Sequence, residues 1–476
     1  GGPREPASAV PASLRARAPP AGARPPRGAP AAAGMGIRGL AKFLQDAAPK
    51  AVREVKGPEA FTGRVIAIDA SMCLYQFLIM IRESHSGAYS NLTNAEGQVT
   101  SHIVGFLSRT IRLMEAGIKP VYVFDGKPPD LDLKLGELVA RAARREKAGE
   151  ALEAAKEAGD AEEVLKATKM GVKVTKEQNE QTKQLLRLMG VPVIEAPSEA
   201  EATCAALCRA GKVYAAATED ADCLTFGTKL LIRNLLAAEA QKKTIFEINL
   251  EVALEQLGVT MDQFIDFCIL CGCDYADTIK GIGPTTAMKL VMQHGCLEKV
   301  LENLDTSKTP VPPGFRYQAA REFFRECESV DPAGVDLQWR EPDLPGMRTG
   351  FLIDENSFSE ERTLRFFDRL KAAKSKTKQQ PLTMFFGAPK PVVRECDKYD
   401  PSKKRSAAAP KGGAKAKAKA KAVAGPAASE AAAAAKPEEE QVASAPEDPR
   451  RWRSRRRSRR ARRRGPGGLR RPRGAP

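Results

Sequence analysis

The chain has 476 residues, of which 42% are hydrophobic and 28% charged, and its net charge is +17. This length is enough for one or two domains with a full core, and no apolar run approaches the length of a membrane span, so no membrane partner is expected. The positive charge does not by itself indicate nucleic-acid binding, because the last 26 residues contain 13 Arg and no acidic residue, while residues 35–386 are mildly acidic.

Residues 1–34 precede the first Met of the chain, Met35. They are mostly Ala, Pro, Gly and Arg, a composition that cannot bury enough apolar surface to fold. We interpret them as a disordered or non-native leader, with an Arg-rich transit peptide as the alternative.

The first predicted elements after the leader are two strands separated by a helix. The apolar runs RVIAIDAS (64–71) and PVYVFDGKPP (120–129) predict strands that end near Asp69 and Asp125. Apolar residues spaced three and four apart predict the helix over 100–117.

A charge-rich helical segment follows the second strand. Lys134 and Arg141 are seven residues apart, which puts them on one helical face, and the helical pattern continues to about residue 190 with little apolar surface. This pattern favours an exposed helical arch over 141–190, and a solvated, salt-bridged helix is the alternative.

The stretch EAPSEAEAT (195–203) follows a third predicted strand, VPVIEAP at 191–197. Ser198 and Glu201 fit the S-x-x-E capping box, in which both side chains bond free backbone amides at a helix start. A structural role is therefore one interpretation, but the capping box does not need Glu199.

The next predicted strand, in KVYAAATEDAD (212–222), also ends in acidic residues, and a further acidic residue follows the apolar run FIDFCIL. Strands that alternate with helices predict an α/β fold with a central, mostly parallel sheet flanked by helices, whose sites lie beyond the carboxyl ends of the strands. Six carboxylates would then meet at one edge, and the acidic residue after FIDFCIL would be a seventh: Asp69, Asp125, Glu199, Glu201, Asp220 and Asp222, with Asp274.

Oxygen ligands without His or Cys are typical of Mg²⁺ or Mn²⁺. Carboxylates this close cannot all remain ionised unless cations lie between them. The pattern therefore predicts a two-metal site for phosphoryl transfer, in which the ions activate water and stabilise the charge that develops on the phosphate.

The sequence GIGP at 281–284 lies within a predicted helix-turn-helix over 277–295. Gly281 and Gly283 would let backbone amides approach a phosphate at a helix N-terminus. Duplex DNA would be held in this way without recognition of its bases.

Residues 387–476 form a basic, low-complexity tail, with the tracts KGGAKAKAKAKAVAG (411–425) and RRWRSRRRSRRARRR (450–464). This composition predicts a disordered terminus suited to nuclear import or loose phosphate binding, and a solvated tail with no specific partner is the alternative.

From Met35 to Phe386 the chain resembles the flap endonucleases, XPG-type members of the structure-specific 5′ nucleases, which share a PIN-like fold. The matching stretches are MGIRGLAKFL, IAIDASMCLYQFL, TSHIVGFLSRTIR, GIKPVYVFDGKPP, APSEAEATCAAL, AGKVYAAATEDADCLTFG, CGCDYADTIKGIGP and QQPLTMFF. The resemblance implies a magnesium-dependent endonuclease and 5′–3′ exonuclease that cuts 5′ flaps in Okazaki-fragment maturation and long-patch base excision repair.

The resemblance also implies roles for individual residues. Asp69, Asp125, Glu199 and Glu201 would bind one metal ion, and Asp220, Asp222 and Asp274 the other. Lys134 and Arg141 would be the catalytic basic pair at the scissile phosphate. A helix-two-turn-helix near 274–295 would hold K⁺ and the downstream duplex, and the implied DNA contacts are Tyr75, Arg82, Arg109, Gly281 and Gly283.

Near the end of the matching region, Gln379, Leu382, Phe385 and Phe386 fit the Q-x-x-Φ-x-x-F-F box that binds the sliding clamp PCNA. The implied partners are this clamp and branched DNA, that is, a 5′ flap or a nicked or gapped duplex. The implied location is the nucleus, both nucleolus and nucleoplasm, with the mitochondrion as an alternative.

The expected organisation is a leader over 1–34, a nuclease region over 35–140, the arch over 141–190, a second nuclease region over 191–370, a linker with the clamp box over 371–386 and the tail over 387–476. Three features depart from the family. The family's catalytic domain begins at Met-Gly, so the protein that starts at Met35 is the predicted active form. The spacer DLDL between GKPP and Lys134 is slightly longer than usual, and Thr285 stands where a lysine commonly follows the proline.

Two other functions are compatible with parts of the pattern. A non-catalytic DNA-junction module bound to the clamp would have lost a metal ligand, yet all seven carboxylates are present. A PIN-like RNA nuclease would share the acidic sheet but lack the GIGP turn and the clamp box, and it would cleave RNA better than DNA flaps.

Overall fold

The computed structural model describes residues 36–83, 94, 97–127, 131–237, 241–375 and 390–402. Seven strands within these ranges form one sheet. They are β1 (Val52–Val55), β2 (Val65–Asp69), β3 (Lys119–Phe124), β4 (Val193–Glu195), β5 (Ala215–Ala217), β6 (Leu230–Arg233) and β7 (Ile245–Asn249).

The strand order in the sheet is β1-β7-β6-β5-β2-β3-β4. β2 pairs in parallel with β3 on one side and β5 on the other, and β4 and β6 extend the parallel part outward. β7 and β1 add an antiparallel edge. The predicted mostly parallel α/β sheet is confirmed, and its central strands end at the same edge.

Helices cover both faces of this sheet. They are α1 (Leu40–Ala47), α2 (Ala70–Glu83), α3 (Ser101–Glu115), α4 (Leu131–Ala158), α5 (Ala161–Met170), α6 (Lys176–Leu188), α7 (Ala200–Arg209), α8 (Asp222–Thr225), α9 (Leu250–Leu257), α10 (Met261–Cys271), α11 (Pro284–His294), α12 (Leu297–Glu302), α13 (Tyr317–Glu326), α14 (Leu344–Gly346) and α15 (Glu360–Ser375). Short 3-10 turns lie at Pro49–Ala51, Pro58–Phe61, Pro332–Gly334 and Glu395–Asp397, and a π-helical segment spans Met347–Glu355.

Alternate residues of the central strands face two separate hydrophobic clusters. Ile66 and Ile68 of β2 pack with α2, α3 and α15, whereas Ala67 packs with α1, α7 and α10. Because both faces are covered, the central strands are continuous apolar runs without a polar face. This explains why the apolar runs predicted them.

The helical hairpin of α4 and α5 corresponds to the predicted arch, and its buried contacts include Ala148, Ala155 and Ala167. The predicted arch extends too far, however, because α6 packs against α3 and buries Leu185 and Leu186 in the core. The sequence of α6 is polar overall, but its few apolar residues lie on one face.

The predicted boundaries near the C-terminus are also wrong in two places. α15 continues to Ser375, so the linker does not begin at residue 371. Residues 390–402, predicted as part of a disordered tail, have a defined structure against the folded body. The clamp box at 379–386, the leader and the tail from 403 lie outside the described residues.

Among the described residues, no helix combines the length and the apolar character that a bilayer-spanning segment requires.

Candidate active site

Six of the seven predicted carboxylates lie at or after the carboxyl ends of neighbouring parallel strands, and the seventh, Asp274, follows α10. Asp69 is the last residue of β2, Asp125 follows β3, and Glu199 precedes α7 after β4. Asp220 and Asp222 come after β5, between the strand and α8. The sheet order β5-β2-β3-β4 therefore brings side chains from distant parts of the sequence to one edge.

Asp125, Glu199 and Glu201 form the tightest group of acidic side chains. One carboxylate oxygen from each lies within 4.8 Å of the other two. Within the described part of the chain, this is the one group of three or more His, Cys, Asp or Glu side chains close enough to share a metal ion. That these three side chains, and Asp69, Asp220, Asp222 and Asp274, bind metal stays a prediction.

The start of α7 differs from the predicted capping box. Glu199, not Ser198, is the N-cap residue, and no side chain of the cap bonds the helix amides. Instead, the Ala200 amide donates to Asp125 Oδ1 at 2.9 Å. The prediction that Ser198 and Glu201 cap this helix is therefore wrong, and the Glu201 carboxylate lies in the acidic group without bonding the helix amides.

Gly126 lets the two loops that carry this group approach closely. Its amide donates to the Ser198 carbonyl at 2.8 Å. A Cβ atom at residue 126 would lie 1.9 Å from the Ala196 carbonyl oxygen, so no larger residue fits.

A second network orients the remaining aspartates. Thr218 Oγ1 donates to Asp69 Oδ2 at 2.9 Å and accepts from the Asp220 amide at 3.1 Å. The Asp222 amide donates to Asp220 Oδ1 at 2.9 Å, and the Ile37 amide donates to Asp222 Oδ1 at 2.7 Å. The sequence pattern assigned no role to Thr218 or Ile37, because neither carries a group that binds metal strongly.

Gly36 also borders the site. It has φ +76°, and a Cβ atom there would lie 1.8 Å from Asp220 Oδ1. The residues directly after Met35 are therefore packed into the carboxylate cluster. In the sequence, only the resemblance of MGIRGL to the flap endonucleases indicates that these residues lie near the site.

The carboxylates strongly influence one another's protonation. Burial raises the pKa of Asp69 to about 7, and the charge of Asp125 adds to the shift. Burial also raises the pKa of Glu201 well above its usual range, with contributions from Asp69 and Asp125. The pKa of Asp222 is raised well above normal by burial and then by Asp220 and Asp274. A cluster with these shifts favours the binding of cations that would neutralise it.

Two cations of α4 reach the cluster. Lys134 Nζ donates to Glu199 Oε1 at 2.5 Å, and Arg141 Nη2 donates to Asp274 Oδ2. Burial alone would lower the pKa of Lys134, but its ion pair with Glu199 raises it, so the ammonium stays charged. The structure thus brings the predicted basic pair to the predicted carboxylates.

The other predicted DNA contacts lie on separate elements. Tyr75 is half-buried on α2, which begins directly after Asp69, and Arg109 is half-buried on α3. Exposed Gly281, with φ +89°, and Gly283, the N-cap residue of α11, lie between α10 and α11. The first helix of the predicted helix-turn-helix is α10, since residues 277–280 are not helical. The side chain of Arg82 lies outside the described residues.

Known protein families match the parts of the chain that contain the seven carboxylates. Residues 35–148 match the XPG N-terminal domain and residues 190–274 match the XPG I-region. Flap endonuclease 1-A of Physcomitrium patens is 52% identical over 354 residues, covering 74% of this chain and 88% of that relative.

Solved structures show the same relationship. Flap endonuclease-1 from Methanococcus jannaschii is 34% identical, with a TM-score of 0.54 over 71% of this chain and 98% of that one. The catalytic core of Rad2 in complex with a DNA substrate is 25% identical, with a TM-score of 0.53 over 69% of this chain and 99% of that one. Sequence, fold and carboxylate edge agree, and the chain belongs to the flap endonuclease 1 family of XPG-type nucleases.

Proposed function

We propose that this chain is a Mg²⁺-dependent 5′ flap endonuclease, with 5′–3′ exonuclease activity, that hydrolyses DNA where a single strand meets a duplex. The observation that carries this proposal is the group of Asp125, Glu199 and Glu201, beside which α4 places Lys134 on Glu199 and Arg141 on Asp274. The substrate is supported by relatives named flap endonuclease 1 and by the Rad2 core, which was solved with a DNA substrate.

The residues at the site fit divalent metal ions. All seven side chains offer oxygen ligands, which Mg²⁺ and Mn²⁺ prefer over nitrogen or sulfur. Asp69, Asp125, Glu199 and Glu201 would hold one ion, and Asp220, Asp222 and Asp274 the other. When bound, the ions would lower the pKa of a water molecule and stabilise the charge that develops on the phosphate.

The chain's own residues would position the scissile phosphate. Lys134 and Arg141 lie two helical turns apart on one face of α4, and each donates a hydrogen bond to a carboxylate oxygen of the site. A bound phosphate diester would offer them equivalent oxygens. Their donated hydrogen bonds would orient the phosphorus and stabilise its negative charge as water attacks.

Substrate shape would be recognised away from the carboxylates. Gly281 and Gly283 are exposed and lie at the N-terminus of the 11-residue helix α11, where an anion is favoured. We place the downstream duplex, and a K⁺ ion, at this turn. Phosphate contacts of this kind carry no base preference, which suits an enzyme that acts on junction shape.

The cellular role follows from the same proposal. Gln379, Leu382, Phe385 and Phe386 would bind the sliding clamp PCNA, which would bring the nuclease to Okazaki fragments and to long-patch base excision repair. The basic tail is compatible with location in the nucleus, and the leader with the mitochondrion as the alternative.

The test is cleavage of a double-flap DNA by protein that starts at Met35, with and without Mg²⁺. Glu201→Gln keeps the side-chain shape but removes a charged ligand, and we expect it to lower the cleavage rate at least about a hundredfold. Glu195→Gln, which alters an exposed carboxylate paired with Lys183 and Arg187, is the matched control and should cleave normally.

Equal cleavage by Glu201→Gln and the unmodified protein would rule out the proposed site. Stronger cleavage of an RNA substrate than of the DNA flap would instead favour the PIN-like RNA nuclease.

A further inference from the structure

Residues 390–402, here called the strap, lie against α1, the Pro49–Ala51 turn and α9. Val393 and Tyr399 of the strap pack against the hydrophobic cluster that α1 and α9 help to form. The Tyr399 ring meets Phe43 edge to face, with ring centroids 5.7 Å apart. The strap therefore has two apolar anchors, six residues apart.

A buried glutamine on α9 recognises the backbone of the strap. Gln256 is 2% exposed, and its side-chain amide donates to the Asp397 carbonyl at 2.9 Å. Its main-chain carbonyl accepts from the Tyr399 amide at 2.9 Å, and its Oε1 atom accepts from the Lys50 amide at 3.0 Å. Buried amides are costly to leave without partners, so Gln256 and the strap satisfy each other.

Charges fix the register of the strap. Lys50 Nζ donates to the Val392 carbonyl at 2.6 Å and pairs with Asp397. The 3-10 turn Glu395–Asp397 holds Asp397 toward Lys50, since Asp397 Oδ2 also accepts from the Arg394 amide at 2.9 Å. A second ion pair, Lys390 to Glu251 at 2.6 Å, fixes the start of the strap.

We propose that the surface of Phe43, Lys50, Glu251 and Gln256 is a docking site for a short peptide, and that its occupant is the strap of the same chain. Docking fixes the chain on both sides of residues 376–389, because α15 ends at Ser375 and packs on the other face of the sheet. If residues 379–386 bind the clamp, as proposed above, docking and release of the strap regulate that contact.

The first test measures hydrogen exchange in the full chain. In Asp397→Lys/Tyr399→Ala, the amides of residues 43–56, 250–258 and 390–402 should exchange at least about tenfold faster, while those of β2 and α3 stay unchanged. Lys398→Ala is the matched control and should have no effect, because Lys398 pairs with Glu395 inside the strap.

The ion pair between Lys50 and Asp397 can be tested by charge reversal. Combining Lys50→Asp with Asp397→Lys should restore part of the protection that Lys50→Asp removes. Equal exchange in Asp397→Lys/Tyr399→Ala and the unmodified chain would overturn the proposal.

The second test uses a fluorescent peptide of residues 390–402. It should bind the full-length Asp397→Lys/Tyr399→Ala variant, in which the surface is free, and bind the unmodified chain at least about tenfold more weakly. Adding Lys50→Glu to the variant should abolish binding. Equal binding to both chains, or a concentration-dependent dimer that exchanges straps in sedimentation, would overturn the assignment to the same chain.

Clamp binding separates this proposal from the proposed function. Release of the strap should tighten the binding of PCNA, because the docked strap restricts the conformations open to residues 379–386. If clamp affinity is measurable but equal in both chains, the regulatory role is wrong. If neither chain binds the clamp, the clamp assignment fails, and the docking site is still decided by exchange and peptide binding.

Discussion

Gly36 shows how little room the carboxylate site leaves for a side chain. Gly36→Ala would place a methyl group 1.8 Å from Asp220 Oδ1, so the aspartate must move. Because a displacement of about 1 Å in an active site costs about a hundredfold in rate, we expect a loss of that order in flap cleavage. Steady-state cleavage of the double-flap DNA measures it.

The control for Gly36→Ala separates this steric conflict from backbone strain. Gly97 has φ +80°, close to the +76° of Gly36, but no atom of the described residues lies within 4 Å of its Cβ position. Both alanine variants should lose about 1–2 kcal/mol of folding free energy, and only Gly36→Ala should lose activity. Comparable activity loss in both variants would mean that strain alone explains the effect.

The raised pKa of Asp69 predicts that the stability of the protein, when it is free of divalent ions, falls as the pH rises. Its pKa is about 7 in the folded state against 3.8 ordinarily, chiefly because of burial and then of Asp125. The folded state therefore holds a proton that the unfolded state has lost, so the stability from this group is complete below about pH 4 and is lost as the pH rises through about 7. Between pH 5 and 7.5, the unmodified protein should lose more unfolding free energy than Asp69→Asn.

Urea unfolding in EDTA measures this difference, and comparison with Asp69→Asn cancels the contribution of groups that do not interact with Asp69, such as the buried His102. Magnesium should reverse the trend, because binding requires ionised carboxylates and so stabilises the protein more at pH 7.5 than at pH 5. Parallel pH profiles for the two proteins in EDTA would contradict the shifted pKa of Asp69.

At the scale of elements, the start of α7 shows what a local pattern can predict. The apolar run before Glu195 correctly predicted β4, and the acidic residues after it correctly predicted the start of α7. The pattern could not predict that Asp125, 75 residues away in the sequence, would bond the first helix amide in place of Ser198. Local propensity predicts that a helix begins here, but tertiary contacts decide which side chain satisfies its amides.

Arg321 joins three helices, and its loss should be costly. It donates to Asp266 of α10 at 2.7 Å and to Glu298 of α12 at 2.7 Å, while Asp266 is 3% exposed. Arg321→Ala would leave the Asp266 carboxylate buried without its cation, and we expect a loss of about 3–5 kcal/mol in urea unfolding.

Arg325 is the matched control for Arg321 because it lies one turn later on α13. Its partner Asp262 is exposed, so Arg325→Ala should cost less than about 1 kcal/mol. Similar losses of stability in the two variants would show that the burial of Asp266 does not determine the cost of removing its arginine partner.

At the scale of the whole molecule, the sheet and its acidic edge were predictable because apolar runs and acidic strand ends are strong local signals. The boundaries of the arch and the tail were not. The polar sequence of α6 packs on the core through a few residues such as Leu185 and Leu186, and the strap depends on Gln256 and Lys50, far away in the sequence. Composition predicts which segments cannot fold alone, but not which of them find a partner surface on the folded body.

The distribution of charge predicts how the tail contributes to DNA binding. Residues 403–476 contain 23 basic and 6 acidic residues, so their net charge is +17. This equals the net charge of the whole chain, so a chain that ends at Ser402 is neutral overall. If the tail binds phosphates, its removal should weaken binding to a plain duplex and lower the slope of log affinity against log salt by about 0.9 for each phosphate that the tail had neutralised. The Gly281 turn and the α4 cations remain, so flap cleavage at low salt should change much less than duplex affinity. Salt titration of duplex binding by the two chains measures this, and coincident slopes would show that the tail has no phosphate partner despite its charge.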